Sequence, residues 1–157
     1  ELIRRTSAEI PDDVHQAILA ALDHEQPGSI AKNALKIVDQ NIALAKSKSQ
    51  PICQDTGSII FYVECPITFD QIAFEEAARE AVKLATKKGY LRQNSVDSIT
   101  GKNDGTNVGP GSPVVHFHQH RSPETSVRLM LIVSVNGNQP AVSEVLAINE
   151  YGTPVPK

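Results

Sequence analysis

The sequence PICQDTG at residues 51–57, followed after one serine by the apolar run IIFYV at residues 59–63, decides how the rest of the chain is interpreted. The first part places a thiol, an amide, a carboxylate and a hydroxyl in four consecutive residues and closes on a glycine. The second part shows no alternation of polar and apolar residues, which predicts a strand buried on both faces. Functional groups are common in turns that a rigid scaffold holds in place. We therefore expect the rest of the chain to position this polar turn.

Three helices are predicted from apolar residues that repeat every three or four positions. They span about residues 11–24, 29–49 and 70–88. Pro11 suits the first position of the first helix, Ser29 the N-cap of the second and Gly89 the end of the third. Residues 1–9 show no comparable pattern and are expected to form an irregular lead-in.

Further strands are predicted in the second half of the chain. Residues near 114–119 alternate in polarity, and residues 127–133 form an apolar run that we expect to pair antiparallel with the strand before it. Residues 141–148 fit either a short strand or a helix. Together with the strand near 58–64, these segments predict an α+β fold in which N-terminal helices accompany a mixed or antiparallel sheet.

Length and composition exclude several classes of protein. The 157 residues suit one domain with a sizeable core. A net charge of −3 argues against nucleic acid as the main partner, and the sequence shows neither a membrane-spanning stretch nor a secretory signal. Two cysteines cannot form a disulfide framework, and they fit a reduced, cytoplasmic setting.

The first candidate site is Cys53 with its neighbours Gln54 and Asp55. A lone cysteine beside a strand is most often a small buried hydrophobe, but the adjacent polar groups favour a chemical role. A nucleophilic cysteine would need a base, and a soft-metal ligand would need further thiolates. Cys65 follows at a spacing typical of no metal site, and it is expected to be structural.

Two other constellations are weaker. His116, His118 and His120 fall on one face of a strand and could converge on a zinc ion, although a solvent face rich in histidine is the favoured interpretation. Arg92 could bind a carboxylate in bidentate fashion, and the loop at residues 101–107 could present backbone N–H groups to an anion. Taken alone, Arg92 and this loop are better explained as a surface arginine beside a flexible loop.

Taken together, these motifs resemble the N-terminal (alpha) part of the class I iron–sulfur hydro-lyases, which comprise class I fumarate hydratases and L-tartrate dehydratase alpha subunits. The matching segments are PxCQDTG at 51–57, LRxNxVD at 91–97, TGKN at 100–103, GxN at 105–107 and PxxHF at 113–117. The resemblance covers roughly residues 10–133. The second and third segments are more similar to the fumarate hydratases, which favours fumarate over tartrate.

The resemblance implies a [4Fe–4S] cluster for which Cys53 is one of three cysteine ligands. Gln54 and Asp55 match residues that contact the substrate, and Arg92 matches an arginine that pairs with a substrate carboxylate. The implied reaction is the reversible hydration of fumarate to malate, a step of the tricarboxylic acid cycle. The alternatives are L-tartrate dehydration and, from another class, a non-catalytic metal-binding domain that uses His116, His118 and His120.

The departures from the family pattern concern the second half of the chain. After residues 129–132 the family's Lys-Gly-Gly-Gly-Ser loop is missing, as is its second cluster cysteine. The third cysteine and the catalytic threonine belong to the family's C-terminal (beta) part. We therefore expect residues 1–157 to be an incomplete catalytic domain that works with a beta part or subunit, in a dimer or heteromer. By itself the chain is expected to hold no intact cluster and to be inactive.

Overall fold

The computed structural model describes residues 1–52, 59–97 and 99–121, together with the backbone of 127–135 and 139–148. The elements in chain order are α1 (Leu2–Ala8), α2 (Asp12–His24), α3 (Ile30–Lys48), β1 (Ile59–Pro66), α4 (Gln71–Lys87), β2 (Val114–His120), β3 (Val127–Val135) and β4 (Gln139–Ile148). This arrangement confirms the predicted α+β class, with N-terminal helices and a mixed sheet.

The sheet has the strand order β2-β1-β3-β4, so the apolar strand β1 lies at its centre. β1 pairs parallel with β2, and β3 lies antiparallel to β1 on its other side. The expected pairing of residues 127–133 with the strand near 114–119 is therefore wrong, because β1 separates them. The parallel neighbours β1 and β2 are joined by a crossover through α4, which leaves the opposite edge of β1 open for β3.

Burial of β1 alternates along the strand rather than covering both faces. Ile59, Phe61, Val63 and Cys65 are buried, whereas Glu64 on the other face is exposed. The prediction of a strand buried on both faces is wrong for this reason. The apolar residues on the second face, Ile60 and Tyr62, are only half-buried and still satisfy the strand preference for β-branched and aromatic side chains.

The core lies between the buried face of β1 and the helix α4. Ala78, Val82 and Ala85 of α4 share one apolar cluster with Phe61 and Val63, and Val82 is completely buried. The α4 N-cap is Asp70, whose carboxylate accepts a hydrogen bond from the Ala73 backbone N–H at 3.0 Å. The alanine-rich helix thus packs within the fold.

The N-terminal residues form a short helix, α1, where an irregular lead-in was expected. Its residues Ile3, Thr6, Ser7 and Ala8 are buried, and the Ser7 carbonyl accepts a hydrogen bond from the Ile52 N–H at 2.9 Å. Seven residues are too few to show a helical period, so tertiary contacts rather than local pattern stabilise this helix.

The helices α2 and α3 match their predicted ranges closely. Ser29 is the N-cap of α3, as expected, and its hydroxyl accepts from the Lys32 N–H at 3.0 Å. The apolar face of α2 contributes no buried residue, and α3 contributes only Ile42 and Ala45. None of the helices in the described ranges is both long and apolar enough to cross a bilayer.

Candidate functional site

The topology returns the chain after α4 to the end of the sheet at which β1 begins. Because β1 and β2 are parallel neighbours, both strands begin at this same end. Leu91, just after α4, is buried in the same apolar cluster as Ile59, the first residue of β1. The loop between α4 and β2 therefore starts at the end of the sheet at which β1 begins.

The candidate ligand Cys53 and the candidate substrate-binding residues Gln54 and Asp55 lie outside the described residues, and their roles remain predictions. Their neighbour Ile52 is held from two sides. Its N–H donates to the Ser7 carbonyl at 2.9 Å, and its carbonyl accepts from the Asn41 side-chain amide at 2.7 Å. α1 and α3 therefore fix the chain immediately before the motif. Sequence patterns did not indicate a role for Asn41.

Arg92 is exposed and directly follows the buried Leu91. Its guanidinium makes no hydrogen bond or ion pair with the part of the chain that the structure describes. Its backbone, in contrast, is anchored, since its carbonyl accepts a hydrogen bond from the Asn107 side chain. A cation that has no partner among the described residues, on an anchored backbone, suits the recognition of an external carboxylate.

The loop from Asp97 to Thr106 is closed by its own side chains. The Asp97 carboxylate accepts from the backbone N–H groups of Thr100 at 2.6 Å and Ile99 at 3.0 Å, and from the Thr100 hydroxyl at 2.8 Å. Asp104 accepts in the same way from the N–H and hydroxyl of Thr106, at 2.9 and 2.7 Å. These hydrogen bonds, led by those from the Thr100 and Thr106 backbones, lower the pKa values of the two carboxyl groups.

These turns bear on the expected anion site in the loop. The N–H of Gly101 donates to the Asp97 carbonyl at 2.8 Å, and the N–H of Gly105 donates to the Asn103 side chain at 2.7 Å. The amides of Thr100 and Thr106 are also in use, on Asp97 and Asp104. These four backbone donors are therefore occupied within the loop rather than offered to a bound anion.

Asn107 is the main residue that sequence patterns left without a role. It is only 4% exposed and has a left-handed backbone, with φ of 58°. Its side-chain nitrogen donates to the Arg92 carbonyl and to the Thr86 hydroxyl at 3.2 Å. Its oxygen accepts from the N–H groups of Asn94 at 3.0 Å and Ser95 at 3.1 Å. An asparagine that follows glycine and threonine in a polar loop is the type of residue that adopts this conformation.

The histidine-rich strand belongs to no metal site that the described residues could form. Among the residues that the structure describes, which include His116, His118 and His120, no group of three or more His, Cys, Asp or Glu could hold a metal ion. The outer two of these histidines are roughly 13 Å apart along an extended strand. The ring of His116 instead stacks on Tyr62 of β1, with centroids 4.9 Å apart and planes 23° apart. The described residues therefore give no support to the metal-binding alternative based on these histidines.

Cys65 is completely buried on the core face of β1. Burial raises the pKa of its thiol, which disfavours the thiolate that iron or zinc requires. The expectation that Cys65 is structural is confirmed. Since the chain has two cysteines, Cys53 is the one that could supply a thiolate ligand.

The chain is similar to known proteins along most of its length. Residues 1–140 match the family model described as fumarate hydratase (Fumerase). A Geobacillus stearothermophilus protein provisionally named class I fumarate hydratase is 44% identical over 131 residues, which are 83% of this chain and 26% of that protein.

Two relatives carry a different name. A Methanocaldococcus jannaschii protein provisionally named L(+)-tartrate dehydratase subunit alpha is 30% identical over 142 residues, 88% of this chain and 50% of the relative. The L(+)-tartrate dehydratase subunit alpha of Escherichia coli K12 is 34% identical over 110 residues, 69% of this chain and 36% of the relative. The chain thus spans between about a quarter and a half of the lengths of these relatives. On the match over residues 1–140, the chain belongs to the fumarate hydratase (Fumerase) family.

Proposed function

We propose that this chain is the alpha part of a [4Fe–4S] hydro-lyase that interconverts fumarate and malate. Two observations support the proposal most directly. The chain is 44% identical over 131 residues to a relative whose name is class I fumarate hydratase. In addition, Arg92 is exposed, directly follows the buried Leu91, and has no partner for its guanidinium among the residues that the structure describes.

Cys53 is proposed to hold one position of the cluster. The donor chemistry fits, because thiolates are the usual ligands of iron–sulfur clusters and burial disqualifies Cys65. The remaining ligands would come from other parts of the complete enzyme. When bound, the cluster supplies a Lewis-acidic iron that activates the water added to, or removed from, the substrate.

The chain's own polar residues are proposed to bind and orient the dicarboxylate. Arg92 pairs with one substrate carboxylate through two parallel N–H···O hydrogen bonds. Gln54 and Asp55, beside Cys53 in sequence, contact the substrate near the reacting carbons. Hydration adds the elements of water across the double bond without net oxidation or reduction, so the enzyme needs positioning and charge stabilisation rather than an electron acceptor.

L-Tartrate dehydration is the second candidate, because two relatives bear that name at 30% and 34% identity. Both substrates are four-carbon dicarboxylates, so the Arg92 contact serves either reaction. The names of these relatives also specify an alpha subunit. We propose that this chain likewise works with a beta part or subunit, in a dimer or heteromer, in the reducing cytoplasm.

The test is an assay of the complete enzyme, purified without oxygen, with fumarate, L-malate and L-tartrate in parallel. We expect fumarate and malate to interconvert faster than L-tartrate is dehydrated. Arg92→Lys keeps the charge but loses the bidentate geometry, and we expect it to raise KM for fumarate by about tenfold. Arg79→Lys is the matched control, since Arg79 lies exposed on α4 and donates to the Gly109 carbonyl at 3.4 Å. Failure of the enzyme to hydrate fumarate, or equal KM values for wild type and Arg92→Lys, would refute the proposal.

A further inference from the structure

Asn107 uses every hydrogen-bonding position of its side chain on two neighbouring segments. A primary amide has two donor hydrogens and two acceptor positions. The donors go to the Arg92 carbonyl and the Thr86 hydroxyl, and the acceptors go to the N–H groups of Asn94 and Ser95. At 4% exposure, water cannot replace these partners. The side chain therefore holds the Arg92–Ser95 segment in one conformation.

The same amide connects that segment to the core. Thr86 is 4% exposed in the last turn of α4, and its hydroxyl donates to the Val82 carbonyl at 2.8 Å. Val82 in turn is completely buried against the sheet. The contacts run from the core through Thr86 to Asn107, and from Asn107 to the backbone of Arg92.

A second hydrogen bond from the loop before β2 also holds the Arg92–Ser95 segment. The Asn103 side chain donates to the Gln93 carbonyl at 2.6 Å, and a Cβ added at Gly105 would meet the Gln93 side chain at 3.4 Å. On the other side, Leu91 is buried in the core cluster. Arg92 thus has a fixed backbone on both sides, while its guanidinium remains exposed.

We propose that Asn107 is a positioning residue of the dicarboxylate site, which acts by fixing the backbone from which Arg92 reaches the substrate. This inference rests on the proposed role of Arg92. Fixing the backbone is needed because a small displacement of a bidentate clamp loses one of its two hydrogen bonds. Glycine permits the left-handed backbone but has no amide, and aspartate can accept but cannot donate to the Arg92 carbonyl.

The test is a double-mutant cycle in the complete enzyme, with fumarate as the substrate. Asn107→Gly removes the amide and tolerates the positive φ, so the loss of side-chain bonds is separated from backbone strain. We expect this variant to raise KM by about tenfold when Arg92 is present and by less than about twofold in an Arg92→Ala background. A residue that acts through Arg92 has no further effect once the guanidinium is gone.

Two variants keep the result interpretable. Thr86→Val removes only the bond to α4, so we expect a smaller rise in KM that also disappears in the Arg92→Ala background. Phe74→Leu destabilises the same helix at its other end, where Phe74 packs against Phe61, Phe69 and Phe117, and its effect on KM should be equal in both backgrounds. An Asn107→Gly effect that is the same with and without Arg92, or no effect at all, would overturn the inference. An unchanged KM in Arg92→Ala alone would refute the role of Arg92 itself, and with it the inference.

Discussion

The side-chain amide of Asn107 donates a hydrogen bond to the buried hydroxyl of Thr86 at 3.2 Å. The two residues are 21 positions apart, and the bond joins the loop before β2 to the last turn of α4. Because both side chains are 4% exposed, neither can exchange this partner for water. The loop that carries Arg92 is consequently attached to the core by polar contacts as well as by Leu91.

Thr86→Val should destabilise the protein by about 1–2 kcal/mol, because it leaves a buried donor of Asn107 without a partner. Valine has nearly the same shape as threonine, so packing around residue 86 is kept. Urea unfolding measures the difference. Thr86→Ser retains the hydroxyl and is the control, with a smaller loss that reflects only the missing methyl group. Equal stabilities for Thr86→Val and wild type would show that the Asn107 bond contributes nothing.

The Asp97 turn should open in acid. Hydrogen bonds from Thr100 and Ile99 lower the pKa of the Asp97 carboxyl below its ordinary value of 3.8. The ionised carboxylate therefore stabilises the turn fully above pH 3.8, and this contribution is lost as the pH falls through the lowered pKa. NMR titration of the Thr100 amide should show a midpoint below 3.8, which disappears in Asp97→Asn. A midpoint at or above that value would contradict the hydrogen-bonded turn.

Cys65 should resist alkylation in the folded protein at neutral pH. Its thiol is completely buried, and burial raises its pKa, so both access and the reactive thiolate are suppressed. Mass spectrometry after iodoacetamide treatment should find Cys65 unmodified before unfolding and modified in urea. Rapid modification of Cys65 in the native protein would place it outside the core.

Local pattern was sufficient for the elements that are long and periodic. The apolar repeats of α2, α3 and α4 predicted their ranges to within a few residues, and Ser29 acts as the N-cap that its residue type favours. α1 was missed because its seven residues are held by contacts such as the Ile52–Ser7 hydrogen bond, which joins positions far apart in sequence. Residues 141–148, which fitted either a strand or a helix, belong to strand β4.

The order of strands depends on non-local pairing that no single segment encodes. β3 follows β2 along the chain yet pairs with β1, because β1 lies inside the sheet and its second edge is free after the crossover.

The loop before β2 was predictable in part. Asp97 with Thr100, and Asp104 with Thr106, are residue types that close turns on themselves, and this signal outweighs the general expectation that polar loops offer their amides to ligands.

The candidate site was recognised mainly from motifs rather than from spacing. Arg92 belongs to a motif that carried a predicted role, whereas Asn107 was part of a quoted motif without an assigned role. Its burial and its four hydrogen bonds become visible only when α4 and the loop are brought together. The histidines illustrate the opposite case, since alternation along β2 put them on one face, yet no group of three ligating residues forms there among the described residues.

The most direct test of the account is the hydration of fumarate by the complete enzyme carrying Cys53→Ala, purified without oxygen and compared with Cys65→Ala. Both variants remove one thiol, but only Cys53 is proposed to bind the cluster. We predict that Cys53→Ala loses hydratase activity together with iron and labile sulfide. Cys65→Ala should retain both, at a modest cost in stability. Full activity and full iron content in Cys53→Ala would contradict the account.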